Sequence, residues 1–459
     1  MITAAFILTA YAATVAVNWP GHLSFDSLAQ LHDGRTGRYN TWHPPAMAWL
    51  LGLFDAVVRG TGLYLALSAA LFFGALASLV WLRPQTGWPA LAAAMAMAVL
   101  PQAVLYQGLV WKDVLFANAA VATFVALTHA AAHWNRPRRR ALLLAVTFVL
   151  AVLAALVRQN GLVVPLVAAA VLAGVARRRG ASGWRSGAAF AVASLVVVFV
   201  ASALLDLRSI GMSGSVMQLR ALEAYDLTAM IAHDRALPLS VLEREAPLLA
   251  KAIRAQGPVL YLPSRIDPEM SDPAFQRALV SARPDAVSAQ WLALVAGRPL
   301  LYLRTRLDAF AWVTLTPDIM VCRPIFTGVD GPPDLLRADG FAPRQDARDN
   351  ALRDYALRFA HTPVFSHATY GVLGLICLWF LLRRRRPEDI AIAGMIAAAL
   401  LFSGSFFVLS IACDYRYLYV LDLSGLAAAF YLALSWPWRA APGSPDGARL
   451  PSSRSSASR

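Results

Sequence analysis

Residues 113–179 read DVLFANAAVATFVALTHAAAHWNRPRRRALLLAVTFVLAVLAALVRQNGLVVPLVAAAVLAGVARRR. Three apolar runs, 113–134, 141–157 and 161–176, alternate with two unlike links. One link carries Arg136, Arg138, Arg139 and Arg140; the other is the short Arg158-Gln159-Asn160-Gly161. The third run closes on Arg177, Arg178 and Arg179. A helix crossing a bilayer needs about 20 predominantly apolar residues, with about 17 as the lower bound. The first run satisfies this. The other two are short, and read either as two crossings or as one re-entrant hairpin around 158–161. Both readings return the chain to the same side.

Working outward, further apolar runs occupy 2–19, 61–82, 88–106, 185–205, 364–382, 389–411 and 416–435. The expected fold is therefore an all-α polytopic membrane protein with about ten transmembrane helices. The run 46–58 is too short to span and is expected to lie along the interface. Composition agrees: 58% of residues are hydrophobic and 15% charged, with mean hydropathy +0.54, too apolar for a water-soluble surface of this size.

The net charge of +14 does not mark a nucleic-acid groove. With a cytoplasmic amino terminus, seventeen Lys/Arg fall in the cytoplasmic links and tail against only Glu388, Asp389 and Asp446, and the remainder is neutral. That is the positive-inside pattern. It places both termini in the cytoplasm and the catalytic or binding face on the far side of an inner membrane, which for the family resembled below implies the periplasm of a bacterium. The first run lacks a basic leader and a cleavage site, and reads as a retained anchor. Cys322 and Cys413 both fall on the outer side, where a bridge can persist. Three cysteines are too few for a disulfide framework, and the expectation is unpaired thiols.

Four parts follow: helices 1–205 with a first outer loop at 20–60, an outer insert 206–363, helices 364–435, and a tail 436–459 rich in Ser, Pro and Arg that reads as disordered. The insert is too long to be structureless. It reads as a small, mainly helical periplasmic cap, with helices in 213–255 ending near Gly257-Pro258, at 285–297, and an interfacial one at 299–315. No alternating strand pattern is visible.

Chemistry-bearing residues gather at the outer helix ends. The first loop holds Asp26, Asp33 and His43-Pro44-Pro45, whose prolines stiffen the return of the chain. Trp111-Lys112-Asp113 opens one helix, Arg158 with Asn160 closes another, and Asp414-Tyr415-Arg416-Tyr417 opens the last. Cations are scarce on the outer side and costly near hydrocarbon, so they want anionic partners. Lys112 and Arg416 either pair with Asp113 and Asp414 or form a cationic pocket for a phosphate or pyrophosphate head group. Asp26 or Ser24 could equally be a helix cap. His22, His32 and His43 share no tight zinc spacing, so no metal site and no cofactor is expected, although a divalent ion is compatible with the loop.

These motifs, in this order, resemble the GT-C superfamily of integral-membrane glycosyltransferases, which includes the protein O-mannosyltransferases and the lipid A aminoarabinose transferases. They are most similar to a bacterial branch related to glycosyltransferase family 39. The likeness rests on Asp26-Ser27 leading to Trp42-His43-Pro44-Pro45, Trp111-Lys112-Asp113, Arg158 with Asn160-Gly161, and Asp414-Tyr415-Arg416-Tyr417. It implies Asp26 as catalytic base, with Asp113 or Asp33 orienting the acceptor. It also implies Lys112, Arg158 and Arg416 as ligands of a polyprenyl-phosphate sugar, with His43, Trp111, Asn160 and Tyr415 in the pocket. The acceptor is left open among lipid, glycan and protein. The O-mannosyltransferases carry an adjacent acidic pair where this chain has Asp26-Ser27, a departure from their pattern that speaks against a close match to their protein acceptor. A transporter or flippase, and a polymerase or ligase using a lipid-pyrophosphate donor, are the competing readings.

Overall fold

The computed structural model describes residues 1–40, 42–83, 87–210, 214–384 and 386–436. The tail expected to be disordered lies, from residue 437 on, outside the described residues. Helices occupy all ten apolar ranges. Five are long and apolar enough to cross a membrane: Gly62–Trp81, Lys112–Ala132, Pro137–Val157, Gly183–Asp206 and Pro387–Leu409. Counting each sharply bent helix pair as one span raises the number to seven. Ile2–Asn18, Val163–Arg178, His367–Arg384 and Tyr419–Ala433 fill the other expected ranges.

The range 88–106 is not one continuous helix. It runs as Trp88–Ala98, breaks, and resumes at Pro101–Val104 with an axis bent by 69°. Pro101 explains the break, because a proline has no N–H to donate and its ring clashes with the preceding turn. Between Pro137–Val157 and Val163–Arg178 the chain turns tightly through 158–162, so two separate helices meet there.

Lys112–Ala132 is the central helix: 94% of its most apolar stretch is buried, against 11% for Gly183–Asp206 at the periphery. A helix apolar all round must be enclosed by protein or by lipid, and this bundle uses both solutions. Helices from before and after the insert share one core, in which Phe116, Phe124, Phe402 and Tyr431 are fully buried.

The insert divides in two. Gly214–His233, Pro247–Leu260, Pro273–Ser281 and Pro284–Gly297 enclose their own apolar core around Leu227, Ile253, Phe275 and Val287. The following segment instead sends Val313, Cys322, Val329 and Leu336 into the main core. Pro258 lies inside Pro247–Leu260, so that helix runs slightly past the Gly-Pro pair expected to end it. Pro299–Leu315 is bent by 106° from Pro284–Gly297 at Arg298-Pro299. One strand pairing escaped the sequence reading: Tyr39–Asn40 pairs in parallel with Ser209–Ile210.

The first outer loop is a helix pair, Phe25–Thr36 and Pro45–Val57. Gly34 and Gly52 face each other at their crossing, where a Cβ on Gly34 would overlap the Ala48 carbonyl. That close approach lets the two helices of the loop pack backbone to backbone.

The expectation of unpaired cysteines is wrong: Cys322 and Cys413 form a disulfide. Spacing along the chain, 91 residues, gave no hint that folding brings them together. The bond ties the insert to the turn that precedes Arg416. Removing it by Cys413→Ser should cost about 2–5 kcal/mol of stability. Thermal unfolding in detergent, with and without reductant, checks this: an unchanged midpoint would make the bond irrelevant to the fold.

Candidate active site

Four connections between helices converge on one cavity of about 440 Å³, within the range of small-molecule sites. Asp26, Trp42 and His43 come from the first loop, Lys112 from the start of the central helix, and Arg158, Gln159 and Asn160 from the turn closing Pro137–Val157. Arg416 and Tyr417 come from the last turn. Leu219, Leu222, Phe406, Leu409 and Ile411 make an apolar wall.

Local sequence explains each placement. Ser24 is the N-cap of Phe25–Thr36 and shares a reciprocal contact with Ser27. Asp26 therefore has no capping duty, and sits in the first turn where the helix dipole favours an anion. Its carboxylate turns toward the cavity: Oδ2 accepts from Arg416 at 2.6 Å, and Oδ1 lies 3.4 Å from His43 Nε2. Lys112 is the first residue of its helix, the end at which a cation is disfavoured. No carboxylate lies within salt-bridge range of it among the described residues; its ammonium donates to His43 Nδ1 at 2.7 Å. An ammonium only donates, so Nδ1 accepts and Nε2–H faces Asp26. His43 is thus a bridge with an assigned tautomer.

Burial alone would raise the Asp26 carboxyl, but the Arg416 guanidinium and the His43 contact outweigh it and hold Asp26 well below the usual carboxylate range. Burial, helped by the Lys112 charge, lowers His43 to about 4. Between pH 5 and 8 Asp26 is therefore ionised and His43 neutral.

Arg158 is the C-cap of its helix, only 6% exposed, and pairs with Asp113, itself 2% exposed. The guanidinium also lies over Phe402, Phe406 and Tyr417, 5.6–5.7 Å from their centres. Arg416 pairs with Asp414 at 3.0 Å and lies over the Trp111 ring. Trp111 does not line the cavity; it supports Arg416 from below and donates to Ser24 Oγ at 2.8 Å.

Asp113 and Asp33 do not line the cavity. Asp113 is spent on Arg158, and Asp33 Oδ2 accepts from the Asn40 backbone at 2.9 Å. Tyr415 is likewise outside it. Its hydroxyl donates to Asp422 at 2.6 Å, and His367 bridges Asp422 to the Tyr415 carbonyl. The 3-10 turn Tyr415–Leu418 sends Tyr415 inward and Tyr417 to the cavity, so the sequence reading chose the wrong tyrosine of the pair.

Gln218, Leu219 and Leu222 escaped that reading, because nothing in their helical stretch distinguishes them from cap core. His22 bonds Asn18 and the Gly328 backbone, His32 meets Asp339, and only His43 reaches the cavity. Among the described residues, no three His, Cys, Asp or Glu side chains group as a metal site.

No protein-family model matches this chain, and no curated protein does. Solved structures similar to it include the archaeal oligosaccharyltransferase AglB from Archaeoglobus fulgidus in complex with an inhibitory peptide and a dolichol-phosphate. That match has TM-score 0.40 and 16% identity over 94% of this chain and 50% of that one. ArnT from Cupriavidus metallidurans bound to undecaprenyl phosphate matches with TM-score 0.36 and 16% identity, over 92% of this chain and 76% of that one. The chain thus spans about half the length of the oligosaccharyltransferase.

Proposed function

We propose that this chain is an integral-membrane glycosyltransferase of the GT-C kind, with about ten helical segments crossing a bacterial inner membrane. In this reading it moves a sugar from a polyprenyl-phosphate donor to an acceptor hydroxyl on the periplasmic face, with inversion. The observation that carries the reading is one cavity in which an ionised carboxylate, Asp26, stands among Lys112, Arg158 and Arg416 beside an apolar wall. Carboxylate, phosphate site and lipid-compatible surface are the three parts such a transfer needs. The Cys322–Cys413 bond supports an oxidising outer compartment for that face.

Glycosidases need a second carboxyl group to protonate the leaving oxygen. A phosphate leaves as an anion, so a base and cations suffice. Asp26 takes the proton of the acceptor hydroxyl, whose oxygen forms a bond to the anomeric carbon. The bond from that carbon to the phosphate oxygen breaks, and its electron pair stays on the phosphate. The donor diester thereby becomes a phosphate monoester bearing one more negative charge, which the three cations offset. In the resting site Arg416 is neutralised by Asp26 and Asp414. A donor phosphate competing for Arg416 loosens its hold on Asp26, and the base gains strength as the donor arrives.

Arg416→Ala tests the phosphate site. Loss of a charge-assisted hydrogen bond of about 1.5–3 kcal/mol should weaken donor affinity roughly 10- to 100-fold. Arg416→Lys should recover only part, because a point charge cannot reproduce a fork. The pH profile should change as well. In wild type neither Asp26 nor His43 titrates between pH 5 and 8. Without Arg416, burial is less opposed and the Asp26 pKa rises, so an acidic limb enters and kcat/KM falls as pH falls. Unchanged affinity and profile would leave Arg416 as a structural partner of Asp414.

Sidedness has its own test. Cysteines at exposed Gln159 and Ser271 should react with an impermeant maleimide in intact cells, and one at Ala181 only after permeabilisation. The free native thiol, Cys377, is buried. The opposite labelling pattern would put the cavity on the cytoplasmic side and remove the mechanism with it.

A further inference from the structure

We infer that the donor's sugar is uncharged, a neutral hexose or pentose, and that it seats against Gln159, Asn160, Gln218 and Trp42. This rests on the transferase reading above and names its substrate class.

The carboxylates at and beside the cavity are already committed to partners. Asp26 is the only carboxylate lining it among the described residues, and its two oxygens face Arg416 and His43. Asp113 is buried against Arg158, and Asp414 is paired with Arg416 outside the cavity. An ammonium group on the sugar would find no counter-ion except the proposed base, and pairing there would consume it. A uronic acid would compete with the donor phosphate for Lys112, the one lining cation with no carboxylate in salt-bridge range among the described residues.

What remains for the sugar is neutral and polar. Gln159 Nε2 donates to Gln218 Oε1 at 3.2 Å, and Gln218 Nε2 donates to the Trp42 carbonyl. Asn160 Nδ2 donates to Ser405 Oγ at 2.9 Å. These bonds link the first loop, the 158–160 turn and the cap helix Gly214–His233, and orient the amides before a ligand arrives. An amide both donates and accepts, which matches a hydroxyl and gives a full charge no compensation. Trp42, 40% exposed, adds an aromatic face for the sugar's C–H surface.

The test uses the full chain in nanodiscs and four donors sharing one polyprenyl phosphate: a neutral hexose, a neutral pentose, an amino sugar and a uronic acid. Binding is measured by competition, and slow release of free sugar is followed with water in place of the acceptor hydroxyl. At least one neutral donor should bind about 10- to 100-fold tighter than both charged ones, the lower figure reflecting a cavity open to solvent. Equal or tighter binding of the amino or uronic donor would overturn the inference and leave the transferase reading standing. If neither the donors nor polyprenyl phosphate itself binds, the transferase reading falls and takes the inference with it. Gln218→Glu, and separately Gln159→Glu, should shift the neutral-to-amino preference at least about tenfold toward the amino sugar. No shift in either folded variant would place the sugar elsewhere.

Discussion

Asp26→Asn should give a folded protein that still binds polyprenyl phosphate but transfers sugar about 100- to 10,000-fold more slowly, the usual contribution of a general base. The geometry makes this substitution informative. Ser24, not Asp26, caps the helix, so stability should hold. Asparagine keeps an oxygen for Arg416 or His43 but cannot take a proton. The loss of charge also frees Arg416 from one of its two anions, so donor affinity should stay level or tighten while turnover collapses. That split, measured as Kd for the lipid phosphate against single-turnover rate, separates a base from a merely structural acid. Near-normal transfer at saturating substrates would remove Asp26 from the mechanism.

Asp113→Ala should act by a different route and lower stability by about 3–5 kcal/mol. Its carboxylate is the partner of a buried guanidinium, and removal leaves Arg158 charged among Phe402, Phe406 and Tyr417. The expected result is poor yield and a lower unfolding midpoint, with Asp113→Asn less severe because an acceptor remains. Replacing both partners, as Asp113→Leu with Arg158→Met, should recover much of the stability, since well-packed apolar residues often replace a buried pair without loss. Donor binding should not recover with it. A folded, stable and inactive Asp113→Ala would instead point to a direct part in the chemistry.

The helices were legible because lipid imposes a length and a polarity on each crossing, and those constraints are local. Pro101 was in view, and its break of 88–106 followed from local chemistry that the long apolar run overshadowed. The site was legible only where rare residues marked it. Cations at outer helix ends are costly, which drew attention to Lys112, Arg158 and Arg416, and all three line the cavity. Asp33 shared the first loop with Asp26 but lies beyond the turn that aims the latter. Tyr415 and Tyr417 differ only in which way a 3-10 turn points them. Gln218 and Leu222 resemble any other residues of a cap helix until the fold sets them opposite Arg158. The Cys322–Cys413 contact depends on how the insert lies over the last helices, which no local pattern encodes.

That bond also bears on when the protein becomes competent. Cys413 lies beyond Pro387–Leu409, next to the turn that presents Arg416, while Cys322 belongs to the insert. The two thiols can meet only after the final helices have been made and the insert has packed beside their turn. A chain stalled before its last hairpin, or inserted in the wrong sense, leaves Cys322 without its partner and the Arg416 turn untethered. The linkage can therefore form only in a chain whose insert and final turn are both in place, so the bonded fraction counts finished copies.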